Sequence, residues 1–207
     1  TVGAGTVNVL RRNQVEISRR AGREIRIRSA AVRDLKVPRD CVVDDLTLSS
    51  NPFDVTDDPE ISLVVELVGG CHIAKEVVLR SLQQGKHVVT ANKALIALHG
   101  NDIFQAAHER GLMIAFEAAV AGGISIIKVI REGLSGNRID RIVGIINGTS
   151  NYILTLMLEE QYSFESALQE AQRKGFAETD PSLDVDGTDA GHKLAILAAI
   201  GFGIPLQ

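Results

Sequence analysis

The hydrophobic positions change period several times along the 207-residue chain. EIRIRSAAV (24–32) is rich in Ile and Val and predicts a strand. ISLVVELVGG (61–70) is a nearly continuous apolar run closed by two glycines, the pattern of a strand buried on both faces. AKEVVLRSLQQG (74–85) has helical periodicity and stops at Gly85. KHVVTANK (86–93) predicts another short buried strand, NDIFQAAHERG (101–111) a helix ending at Gly111, and LMIAFEAAV (112–120) a strand. Strands alternating with helices imply crossover connections and a parallel, doubly wound α/β sheet.

The pattern changes near AGGISIIKVIREGL (121–134), where a helix leads into IDRIVGIIN (139–147), a predicted strand of Ile and Val. Three helical segments follow, SNYILTLMLEEQ (150–161), SFESALQEAQRKG (163–175) and GTDAGHKLAILAAIG (187–201). A domain boundary is expected near residue 123, with residues 1–123 forming the doubly wound domain and 124–207 an α+β domain of sheet and packed helices. The apolar 139–147 strand is also a candidate subunit interface.

Composition narrows the class. Hydrophobic residues make up 45% of the chain and charged residues 23%, ordinary values for a globular protein, but aromatics are 4% with no Trp. The core must therefore come from Val, Ile, Leu and Ala. A net charge of −4 leaves no general basic footprint for nucleic acid. The most basic run, RRNQVEISRRAGREIRIR (11–28), lacks interleaved aromatics and reads as a solvated helix end leading into a strand. Cys41 and Cys71 form neither a metal spacing nor a disulfide framework, which points to a reduced, cytoplasmic setting. No apolar run approaches the ~20 residues of a membrane span, and no signal peptide is evident. The chain begins with Thr inside what looks like a motif, so a piece of a longer protein is expected.

That motif is TVGAGTVNVLRR. Gly3 and Gly5 ahead of an apolar helix fit the tail of a strand, glycine turn and helix unit, whose amides would meet a pyrophosphate. A plain helix start explains the stretch almost as well. AAVRD (30–34) ends where a cofactor's adenosine ribose would lie: Arg33 suits a 2′-phosphate and leans the choice to NADP, while Asp34 leaves NAD open.

The acidic run AETDPSLDVDGTDAGHK (177–193) holds Glu178, Asp180, Asp184, Asp186 and Asp189 and stops at Lys193. It is not a calcium loop: with Gly187 at the sixth position, the twelfth falls on Lys193, where a bidentate Glu is needed. Asp186 suits a helix cap, with Asp189 then at the third helical position. Asp189 and Lys193 share a helix face; alone, such a surface pair is worth ~0.3–0.5 kcal/mol. His72, His87, His99, His108 and His192 are scattered, without partners at ligand spacing, and none is assigned a catalytic role.

Three further stretches act together: VVELVGG with TANKALIA (64–70 and 90–97), FEAAVAGGI (116–124), and INGTSNYIL followed by GFAETDPSLDVDGTDAGHKL (146–154 and 175–194). In order and spacing they resemble homoserine dehydrogenase over essentially the whole chain. The resemblance implies a Rossmann-like domain whose first strand precedes Thr1, joined to a catalytic and dimerisation domain that continues beyond Gln207. It also implies interconversion of L-homoserine and L-aspartate 4-semialdehyde with NADP or NAD, in threonine, methionine and isoleucine synthesis, by a homodimer or homotetramer that binds neither nucleic acid nor membrane.

Residue by residue, the resemblance makes Lys193 the proton donor and acceptor, with Asp189 holding either that lysine or the substrate hydroxyl. Hydride leaves an alcohol carbon only as the hydroxyl proton departs, so the chemistry needs such a group. Lys93, at the C-terminal edge of a strand where ligands of parallel sheets bind, is placed near nicotinamide and substrate. Glu178 is expected to bind the homoserine amino group, with Asp184 a second acid beside it. Cofactor contacts are expected at Thr1, Val2, Gly3, Arg33, Gly69, Gly70 and Lys93. Glu117, Val120, Gly122 and Ile124 correspond to a monovalent-cation site, Na⁺ by its hard oxygen donors. A semialdehyde-oxidising dehydrogenase would need a cysteine nucleophile, and Cys71, the candidate near the cofactor edge, has no evident histidine base. A non-catalytic NAD(P)-binding sensor on the same fold would not need the lysine and its acids.

Overall fold

Parallel pairing organises the first half of the chain, in a computed structural model that describes residues 2–207. Thr1, one of the expected cofactor contacts, lies outside the described residues. The chain divides into two compact units: one runs to Asn92 and adds Asp102–Ala115, and the other comprises Lys93–Asn101 and Phe116–Gln207.

In the first unit, helices α1 (Val2–Arg12) and α2 (Gln14–Ala21) precede β1 (Ser29–Ala31), which pairs in parallel with β2 (Thr47–Ser49). After the short helix α3 (Phe53–Asp57) come β3 (Leu63–Glu66), α4 (His72–Gln83), β4 (His87–Thr90) and β5 (Ile114–Ala115), with strand order β3-β4-β5, all parallel. The doubly wound expectation therefore holds, but several strands are shorter than their apolar runs. EIRIR reaches the ladder only through its last residue, where the Arg28 carbonyl accepts Thr47 N at 3.2 Å; Arg26 pairs with Glu24 and Arg28 with Asp58, both at 2.7 Å. The basic run is partly neutralised in the same way, with Arg19 and Arg20 on Glu16 and Arg11 on Asp45. LMIAFEAAV leaves the sheet after Ala115, and Glu117–Ala119 forms a 3₁₀ turn.

The expectation that β3 is buried on both faces is corrected. Its residues alternate, with Val64 and Glu66 buried and Leu63 and Val65 exposed. A parallel strand is buried twice only where both faces are covered. Across its buried side, Val64 and Val88 join Ala74, Val78 and Leu82 of α4 among the core residues.

Helix α5 (Lys93–His108) starts eight residues before the predicted 101, because ALIA continues its helical burial, with Leu95, Ile96 and Ile103 all fully buried. Its first turns belong to the second unit. There α6 (Ile126–Lys128) runs into a π-helical turn at Val129–Gly133, followed by α7 (Gly148–Glu159), α8 (Phe164–Arg173), α9 (Ser182–Val185) and α10 (Thr188–Phe202). Ser163 caps α8 by accepting from Ser166 N. Ala167 and Ala171 of α8 are small enough to let Ile153 and Leu156 of α7 pack against them, with Ala177 closing the cluster.

The predicted strand at 139–147 does not form. Apolar β-branched residues favour a strand, but a strand exists only with a partner ladder, and no strand of the described residues pairs with this segment. Ile139 and Ile142 approach α10 at Gly201, while Val143 and Ile145 remain 80% and 78% exposed.

Candidate active site

The acidic run folds as two short caps and one buried acid. Asp180 accepts Ser182 N ahead of α9, and Asp186 accepts Thr188 N at 2.8 Å ahead of α10. Gly187 rather than Asp186 directly precedes the helix, so Asp189 sits at the second helical position and not the third. That places its carboxylate in the first turn, where the helix dipole favours an anion. Lys193 follows one turn later on the same face.

Asp189 is 8% exposed and is the centre of a polar cluster. Its Oδ2 accepts from Lys193 Nζ at 2.6 Å and from Asn147 Nδ2 at 2.9 Å. Its Oδ1 pairs with Lys93 Nζ at 2.9 Å. Lys193 Nζ also donates to the Ile146 carbonyl at 2.8 Å. Burial pushes the Asp189 carboxyl up, but hydrogen bonds from Lys193, Asn147 and Lys93 outweigh it and hold the group at about 2. Asp189 is thus a fixed anion near neutral pH. It orients ammonium groups and does not itself exchange protons.

Asn147 is the residue the sequence reading missed. It is buried, and its amide gives one hydrogen to Asp189 and one to Asp184 Oδ1, the latter at 2.7 Å. Its Oδ1 accepts Ser150 N at 2.7 Å and so caps α7. Ser150 Oγ in turn donates to the Asp184 carbonyl at 2.8 Å. Only an amide fills this position, because it must donate twice and accept once. An Asn three residues before a predicted helix start was a visible cap signal. Its two carboxylate partners, 37 and 42 residues away, were not visible locally.

Lys193, Asp189, Lys93 and Asp184 are therefore gathered in one network. Glu178 is not part of it: its side chain is exposed, and its carbonyl accepts from Gln172 Nε2 at 3.2 Å. Glu117 turns its carboxylate to Ile127 N and Lys128 N, at 3.0 and 2.9 Å, capping α6. Val120 is buried, Gly122 and Ile124 are exposed, and Ile124 N donates to the Ala121 carbonyl at 2.9 Å. In the first unit, Gly69 and Gly70 follow β3 with φ of 78° and 67°, a region open to glycine and strained for other residues. A Cβ built at either would meet no atom within 4 Å, so the space on the side-chain side of the turn is open. Val2 and Gly3 are exposed at the start of α1, and Arg33 is exposed just beyond β1. TVGAG thus lies within a helix from Val2 on, rather than in a turn ahead of one.

Two family models match, homoserine dehydrogenase over residues 125–207 and the homoserine dehydrogenase NAD binding domain over residues 1–117. The chain belongs to the homoserine dehydrogenase family. The Pseudomonas aeruginosa homoserine dehydrogenase is 57% identical over 207 residues, covering all of this chain and 47% of that protein. A homoserine dehydrogenase crystal structure from Thiobacillus denitrificans superposes with a TM-score of 0.91 at 58% identity, over all of this chain and 48% of its own. A hyperthermophilic archaeal homoserine dehydrogenase in complex with NADPH aligns with a TM-score of 0.68 at 29% identity, over 92% of this chain and 54% of its own. The chain thus spans about half the length of the homoserine dehydrogenases it matches. Within the family's frame, the Lys193, Asp189, Lys93 and Asn147 cluster falls in the stretches that carried the resemblance.

Proposed function

We propose that the intact protein is an NAD(P)-dependent homoserine dehydrogenase that interconverts L-homoserine and L-aspartate 4-semialdehyde, in threonine, methionine and isoleucine synthesis. The observation that carries this reading is the buried Asp189 carboxylate holding both Lys193 and Lys93. In the oxidative direction, Lys193 in its neutral form accepts the homoserine hydroxyl proton at Nζ. The bound nicotinamide supplies the acceptor for the hydride that leaves the same carbon. Asp189 and the Ile146 carbonyl fix the lysine's direction by taking two of its donor positions. Lys93 neutralises the other Asp189 oxygen and contributes a cationic group for substrate or cofactor. Asn147 keeps Asp184 and Asp189 at fixed separation without leaving two carboxylates in direct opposition.

Glu178 binds the substrate ammonium, its exposure leaving the carboxylate available, with Asp184 the second acid. The dinucleotide is held by residues 1–123 through Thr1, Val2, Gly3, Arg33, Gly69, Gly70 and Lys93; residues 124–207 supply substrate binding and dimerisation. The exposed Arg33 favours NADP over NAD. The Glu117 carboxylate with the carbonyls of Val120, Gly122 and Ile124 is a hard-oxygen set suited to Na⁺. Homodimer or homotetramer assembly is supported by the exposed Val143 and Ile145. A cytoplasmic location is in keeping with two free cysteines, and no helix of the described residues is long and apolar enough to cross a membrane.

The test is reduced-cofactor formation by the intact protein with L-homoserine and either NADP or NAD. Lys193→Ala is expected to lower kcat by about 10²–10⁴-fold, the usual contribution of a proton-transfer group. Normal turnover in that variant removes Lys193 from the chemistry, and no turnover by the parent removes the activity.

A further inference from the structure

β3 ends on an acid that the proposed chemistry does not use. Glu66 is 1% exposed and points to the buried side of the strand, where a packing residue would be Val or Ile. It forms no ion pair among the described residues. A buried carboxylate without a cation persists only when donors surround it. Here they come from the turn after β3 and from the end of β4. Glu66 Oε1 accepts Val68 N at 2.7 Å and, more weakly, Gly69 N at 3.4 Å. Its Oε2 accepts the buried Thr90 hydroxyl at 2.6 Å. Thr90 Oγ1 accepts Asn92 N at 3.0 Å, and Asn92 Nδ2 donates to the Gly70 carbonyl. The network is a closed clasp that runs from the end of β3, through the end of β4, back to the Val68–Gly70 turn.

We propose that Glu66 is a positioning residue for the nicotinamide dinucleotide, locking the Val68–Gly70 turn at the C-terminal edge of the sheet in its binding conformation before the cofactor arrives. This rests on the proposed NAD(P)-dependent activity. Two successive residues at positive φ are intrinsically mobile, and glycine is the residue that loses most freedom on ordering. Glu66 removes that freedom in the free protein, so the cofactor does not have to do so on binding. Gln at this position still accepts the two backbone amides. Its Nε2, however, faces Thr90 Oγ1, which already accepts Asn92 N, so the hydroxyl proton loses its acceptor.

The experiment compares the intact protein with Thr90→Val, which keeps the shape of a buried β-branched residue, and with Glu66→Gln. NADPH binding is titrated by its fluorescence, KM is measured for NADP and for homoserine, and urea midpoints are recorded. Loss of one hydrogen bond of the clasp is expected to weaken NADPH binding roughly fivefold in each variant. The homoserine KM is expected to stay within about twofold, since no clasp atom belongs to the cluster around Asp189. Cofactor affinity unchanged with only the urea midpoint lowered overturns the proposal, as does an equal rise in both KM values. If the parent binds NADPH without oxidising homoserine, the activity reading fails while the titration still decides the role of Glu66. If the parent oxidises homoserine and the variants bind NADPH normally, the activity reading stands and the clasp does not.

Discussion

Replacing Asp189 with asparagine keeps the side chain's shape and removes its charge. The native carboxylate receives two ammonium groups and one amide. Asn offers one acceptor oxygen and turns an NH₂ toward at least one of those donors. The folded state holds the Asp189 carboxyl at about 2, against a reference value of 3.8. A shift of that size corresponds to about 2–3 kcal/mol of preference for the anion in the fold. Because the folded value is depressed, this stability is fully present above the unfolded pKa. It is lost as pH falls through the folded one. Asp189→Asn should therefore be less stable than the parent by about 2–3 kcal/mol at pH 7, and the gap should shrink to roughly half at pH 3. Urea denaturation of both proteins at pH 7, 5, 4 and 3 measures it, with turnover of homoserine followed alongside. A variant as stable as the parent at pH 7, or a gap constant down to pH 3, would refute the assignment of Asp189 as the anion that holds the cluster.

Asn147→Asp exchanges two donors for a third carboxylate beside Asp184 and Asp189 while keeping the acceptor for Ser150 N. It should cost about 1–3 kcal/mol in urea denaturation at neutral pH, with the deficit narrowing on acidification as that carboxylate protonates. Lys86 is buried and donates to the carbonyls of Asp58 and Ile61, each at 2.6 Å. Lys86→Met should lose about 1–3 kcal/mol by stranding them, with the homoserine KM unmoved. At Gly201 an added Cβ would lie 2.9 Å from Ile142 Cδ1, the movable tip of a side chain. Gly201→Ala should thus gain back in helix propensity, about 1 kcal/mol, most of what repacking costs, whereas Gly201→Leu should clearly lower the urea midpoint.

What was legible and what was not follows from the range of the forces involved. Helical periodicity is local, so α4, α7, α8 and α10 were placed within a few residues from their apolar spacing alone. Strands were placed less well, because their limits are set by a partner ladder. EIRIR has strand-like residues but charged side chains that pair with acids, Arg26 with Glu24 of the same stretch and Arg28 with Asp58. The 139–147 segment is mostly apolar, yet no ladder among the described residues takes it up. The site divides along the same line. Asp189 and Lys193 are four residues apart, and their pairing was readable on a helix face. What turns that pair from a weak surface contact into a buried, charge-holding cluster is Lys93, 96 positions before Asp189 in the sequence, together with the Ile146 carbonyl and Asn147. None of these long-range partners has a local signature for the role. An amide is chosen at Asn147 because two acids must be approached at once, and that demand exists only after α7, α9 and α10 have packed. The same reasoning separates Glu178 from the other acids of its run. It was singled out by resemblance alone, and among the described residues no hydrogen bond or ion pair engages its exposed carboxylate. A carboxylate that serves a substrate is expected to look unsatisfied until that substrate is bound, whereas Asp180 and Asp186 each already hold one oxygen on a capping amide.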